Sequence, residues 1–304
     1  MSDLKLFRIS DDGVTELPGE GVALEKSLQN LIEKNMEPMF GTRFLVSEYS
    51  TGVRHGGRID SLGIDENGSP VIFEYKRASN EAVINQGLFY LDWLVDHKAE
   101  FELLVLRRCG QTVSDAIDWS TPRLVCVAGD FTKYDVHAVT QMGRAIELVK
   151  YTKFGEDLIA LDLIASARAS VESLQDPGST KTGKTKEKSV SELLEQASGE
   201  LTDLYFELES FLIALGDDVD KAVRKNYFAF RRLMNFACVE VHPQSKNLLV
   251  YLKVNPETVD LVEGFTRNMH GIGHFGTGDL EVRVSSKEDL IQAEPLIRLS
   301  YENS

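Results

Sequence analysis

Apolar and polar positions along the chain follow two periods. Short alternating or continuous apolar runs predict strands over residues 4–9, 14–17, 44–49, 58–64, 71–76, 123–128, 146–151 and 158–164. Helical spacing predicts helices over 23–35, 80–96 and 134–142, with 103–106 adding helical structure. Further on, the pattern predicts one long helix over 189–215 and a hairpin of 237–242 with 247–254. A short helix over 257–264, a glycine-rich loop, a strand at 280–284 and a terminal helix from 287 complete the chain.

Within this order, residues 56–77 carry the chemistry. Asp65-Glu66-Asn67-Gly68-Ser69-Pro70 is a turn cluster between two strand patterns, so residues 58–76 form a hairpin. Such a hairpin brings Asp60 beside Glu74. Side chains alternate along a strand, so Glu74 and Lys76 point to one face while Tyr75 points to the other. Apolar neighbours such as Ile59, Ile72 and Phe73 place these charges in a buried sheet, where unpaired carboxylates are costly. Two carboxylates with one ammonium form a set that suits Mg²⁺ or Mn²⁺, hard cations that prefer oxygen ligands. Without convergence, Asp60 would be only a turn former and Glu74–Lys76 a surface ion pair. Gln86 and Tyr90 lie four apart on the following helix and share a face.

The rest of the composition narrows the setting. Residues 169–189 are rich in Gly, Ser, Thr and Lys and read as a flexible linker between a domain at 1–168 and another at 190–304. The net charge of −15 disfavours a strong non-specific nucleic-acid binder, since phosphate contacts need clustered Lys and Arg. No apolar run is long enough for a membrane span, and the N-terminus lacks the basic start and apolar core of a secretion signal. The three cysteines are far apart and form no CxxC pair, so a reduced cytoplasm is the expected setting. His270 and His274 lie among glycines and read as loop residues. Arg224, Lys225, Arg231 and Arg232 read as a basic helix face, solvated or paired with acids of the preceding helix.

Glu25 in the first helix, Gly57 to Asp60, Glu74 to Lys76, and Gln86 to Tyr90 follow one another in the order found in the PD-(D/E)XK nuclease superfamily, which residues 20–110 resemble. The Gln-x-x-x-Tyr helix is similar to that of the RecB-like and NucS-like branches. No proline precedes Asp60. The resemblance implies an α/β fold, a restriction-endonuclease-like αβββαβ core with a central mixed sheet. It also implies Mg²⁺-dependent cleavage of nucleic acid, DNA before RNA. Under it, Asp60, Glu74, the Tyr75 carbonyl and Glu25 hold metal, Lys76 stabilises charge, and Gln86, Tyr90, Arg58 and Arg77 contact substrate. A homodimer is compatible with it. The C-terminal residues resemble an uncharacterised α+β domain found attached to such modules, which implies no chemistry. The alternative reading is a non-catalytic nucleic-acid-binding or regulatory module that retains the fold.

Overall fold

A computed structural model describes residues 4–11, 13–21, 25–77, 81–167 and 188–304. Most of the predicted linker lies outside these residues. The chain divides into two compact units, Met1–Asp176 and Pro177–Ser304.

The first unit opens with strands β1 (Leu6–Ser10) and β2 (Gly13–Leu17), which pair as a two-stranded hairpin. Then follow β3 (Gly19–Glu20), α1 (Glu25–Lys34), α2 (Met36–Phe40), β4 (Thr42–Ser50), α3 (Gly52–His55), β5 (Arg58–Asp65) and β6 (Pro70–Lys76). Helices α4 (Glu81–Asp96), α5 (Lys98–Cys109) and α6 (Gln111–Asp115) lead to β7 (Arg123–Ala128), α7 (Lys133–Gln141), β8 (Ala145–Phe154) and β9 (Leu158–Ala167). The main sheet has seven strands in the order β3-β8-β7-β6-β5-β4, with β9 also on β8. It is mixed: β4, β5 and β6 are antiparallel, whereas β6, β7 and β8 are parallel. β6 and β7 are almost wholly buried, as expected of parallel strands at the centre of a sheet. Helix α4 lies close on β7 because Gly87 has no side chain; a Cβ there would come within 2.5 Å of Leu124.

The fold departs from a regular hairpin in one place. The β5–β6 ladder runs from Ile64↔Pro70 to Ser61↔Phe73. Beyond it, β6 stays with β7 as far as Lys76↔Ala128, and β5 stays with β4 as far as Arg58↔Ser50. The sheet therefore forks at Asp60 and Glu74. At the other end of β6, Asp65 accepts from the Asn67 and Ser69 amides and tightens the turn. There Arg123, 4 % exposed, bridges Asp65 at 3.1 Å and Glu147 at 2.7 Å.

The second unit comprises α8 (Val190–Glu195), α9 (Gly199–Ile213), β10 (Asp220–Val223), β11 (Phe228–Arg231), β12 (Asn235–His242), β13 (Asn247–Leu252), β14 (Thr266–Asn268), β15 (Leu280–Val284) and α10 (Lys287–Glu302). Its six strands are antiparallel in the order β10-β11-β12-β13-β15-β14. Leu204, Tyr205 and Leu208 of α9 and Ala293 and Ile297 of α10 share a core with one face of this sheet. Three expectations are corrected here. The helix predicted over 189–215 is two helices, because Ser198 caps a new N-terminus by accepting from the Leu201 amide. The supposed basic helix is the β10–β11 hairpin, in which Arg224 and Arg231 are buried and Arg232 bonds Asp218 at 2.7 Å. The helix predicted over 257–264 is a single 3-10 turn, Pro256–Thr258.

Candidate active site

At the fork, carboxylates replace backbone carbonyls as hydrogen-bond acceptors. The Asp60 amide donates to Glu74 Oε1 at 3.2 Å, and the Tyr75 amide donates to Asp60 Oδ2 at 3.0 Å. These two side-chain bonds satisfy strand amides that lack a ladder partner, and they fix both acids side by side. Glu74 is fully buried, and its Oε2 has no hydrogen-bond partner among the described residues. Burial pushes the Glu74 pKa up to about 9, with the neighbouring Asp60 charge adding to the rise. Burial also raises Asp60, although the Tyr75 amide and Lys76 pull it back.

Lys76 reaches across to α1, where its Nζ bonds Glu25 Oε1 at 3.1 Å. Burial works against the ammonium. The bond and charge of Glu25, joined by Asp60 and Glu74, outweigh that and raise its pKa. Lys76 is therefore a fixed cation. The predicted metal role of Glu25 meets a different geometry, in which this carboxylate is engaged by Lys76. Among the described residues no three acidic, histidine or cysteine side chains gather as a metal cluster. The two carboxylates brought together at the fork are those of Asp60 and Glu74.

Gln86 and Tyr90 meet as expected. Gln86 Nε2 and the Arg58 amide both donate to the Tyr90 hydroxyl, each at 3.1 Å. Gly57 leaves room for that ring: a Cβ there would stand 2.4 Å from Tyr90 Cε1. The Arg58 side chain is turned to Glu48, at 3.0 Å. Arg77, exposed beyond the end of β6, is not among the residues lining the cleft. That cleft, about 730 Å³, is lined by Asp60, Arg58, Glu48, Gln86 and Tyr90 together with Ser50 and glycines 52, 56 and 57.

Two sets of residues in the site were missed in the sequence. Gln29 on α1 donates from Nε2 to the Asp60 carbonyl at 2.8 Å and to Glu33 at 2.9 Å, and Glu33 accepts from Ser61 at 2.6 Å. Glu25, Gln29 and Glu33 recur every four residues, a polar stripe on one helix face. Glu48 is the other: it adopts a left-handed φ of 55°, and the Lys26 bond at 2.8 Å helps keep its pKa low. A strained non-glycine residue inside a strand is a feature that clusters at functional sites; an apolar strand pattern gives no sign of it.

Residues 190–304 match a family described as a domain of unknown function (DUF5655). A Haemophilus influenzae protein described as uncharacterized is 27% identical over 313 residues, 99% of this chain and 100% of that protein. Among solved structures, a repair endonuclease from Pyrococcus abyssi is similar at 23% identity, with a TM-score of 0.29 over 45% of this chain and 50% of that one. A structure of an EndoMS–dsDNA2 complex is similar at 21% identity, with a TM-score of 0.29 over 43% of this chain and 47% of that one. The chain thus spans about half the length of the solved structures it matches.

Proposed function

We propose that the first unit cleaves phosphodiester bonds of nucleic acid, DNA before RNA, using Mg²⁺ or Mn²⁺. One observation carries this reading: a buried carboxylate oxygen with no partner among the described residues, on Glu74, beside Asp60 and a cationic Lys76 at a fork in the sheet. An orphaned buried oxygen is costly in a purely structural role and fits an absent cation. Asp60, Glu74 and the Tyr75 carbonyl would hold the ion, which when bound would acidify a water and neutralise phosphoryl oxygens.

The chain's own groups supply the rest. Lys76 keeps its proton, so its part is to stabilise negative charge on the phosphoryl group, not to act as a general base. Glu25 holds that ammonium in place. The Tyr90 hydroxyl already accepts two hydrogen bonds, which leaves its proton for a phosphate oxygen. Gln29 fixes the backbone of Asp60 from beneath.

The test is incubation of the full chain with plasmid and single-stranded DNA in Mg²⁺, Mn²⁺ or EDTA. Cleavage is expected in the metals alone, and Asp60→Ala or Lys76→Ala should lower it at least about a hundredfold without loss of fold. Binding without cutting by the wild type in either metal would instead establish a non-catalytic module.

A further inference from the structure

Glu48 lines the same cleft as Asp60, Gln86 and Tyr90, and its backbone is unusual. It lies within β4, where Ser47 pairs with Ser61 and Tyr49 with Ile59, so it stands across from Asp60. Its φ of 55° belongs to the left-handed region, which costs a glutamate free energy. Each of its two carboxylate oxygens is held by a different cation. Oε1 accepts from Lys26 Nζ on α1 at 2.8 Å, and Oε2 meets Arg58 Nε on β5 at 3.0 Å. The Lys26 and Arg58 side chains are 52 % and 66 % exposed. Exposed ion pairs return too little to account for the backbone cost. Gln29, which holds the Asp60 carbonyl, also accepts from Lys26 at 2.9 Å, so one residue orients both the ammonium and the strand that carries the acid.

We infer that Lys26 and Arg58 form a subsite for a backbone phosphate of nucleic acid, which Glu48 fills in the free protein and vacates when a strand binds. The inference rests on the nuclease reading and adds to it a second contact on the strand. A carboxylate and a phosphodiester each present two equivalent oxygens that share one negative charge. One cation on each oxygen therefore satisfies either group. Arg58 is two residues from Asp60 on β5, which sets this phosphate apart from the one beside the proposed metal. The substitution of one anion for another also gives the strained backbone a use. Glu48 screens the two cations from stray polyanions, and a strand that also engages the acids at the fork displaces it.

The experiment measures binding of the full chain, with Ca²⁺ in place of Mg²⁺ and at low ionic strength, to a short labelled DNA duplex by fluorescence anisotropy. Glu48→Gln should tighten binding about fivefold, because the two cations are released for phosphate. Glu48→Gly, which the left-handed backbone suits, should give the same gain and carries the test if Glu48→Gln is unstable. In a Lys26→Met, Arg58→Met background the gain should vanish. A gain that persists there reflects only the loss of a negative charge and overturns the subsite. So does a Glu48→Gln that folds normally and binds like wild type or more weakly. Cleavage in Mg²⁺ is assayed in parallel. Lys76-dependent cutting with no tightening in either Glu48 variant removes the subsite and leaves the nuclease; absence of binding and cutting in wild type and both variants removes both.

Discussion

Glu74 illustrates how a single residue can carry a cost for the fold and a use for chemistry. Its carboxyl has a pKa of about 9 in the folded chain against an ordinary 4.5. Between these values the unfolded chain gives up a proton that the folded chain keeps, so stability falls as pH rises through that window. Replacing the acid by a neutral amide removes this fall. In metal-free protein, Glu74→Gln should be more stable than wild type near pH 8 by on the order of 2 kcal/mol, with the difference closing near pH 5. Denaturant titrations at the two pH values check it; a gain that is equal at both would sink the burial argument. Under the proposed nuclease function the same substitution removes a proposed metal ligand and should end cleavage. Alternation along a strand made Glu74 and Lys76 legible from sequence, since it alone fixes which neighbours share a face. Glu48 was not legible, because its part depends on a left-handed backbone that no local signal announces.

At the scale of elements, the fork sets the site. The turn cluster and two strand patterns announced the β5–β6 hairpin, and helical spacing announced α4. The divergence of β5 from β6 was hidden, since it depends on β6 preferring its parallel partner β7. Helices α2, α3 and α6 are too short to show a period, and β14 is only three residues. The α8–α9 break lay inside a continuous amphipathic pattern, and the charges of 221–232 masked two strands. The buried Arg123 on β7 ties β5 and β8 together through Asp65 and Glu147 at the end of the sheet away from the fork. Removing the arginine strands two buried carboxylates. Arg123→Ala should cost about 3–5 kcal/mol by chemical denaturation. A loss below about 1 kcal/mol would mean that water reaches the pair.

For the molecule as a whole, two units each have their own apolar core. No helix among the described residues is long and apolar enough to cross a membrane. The second unit, residues 188–304, should fold by itself, showing one cooperative melting transition and dispersed amide resonances. A molten fragment would show that its sheet needs the first unit. The net charge of −15 is spread over both, so any attraction to phosphate has to come from local groups of cations. The two ends of β6 differ: beside the turn Arg123 is paired with Asp65 and Glu147, whereas at the fork Glu74 Oε2 has no hydrogen-bond partner among the described residues. Inherited changes would accordingly sort along a few residues: those near the turn would deplete the cell of the protein, whereas those near Lys76 would leave its abundance normal and silence it.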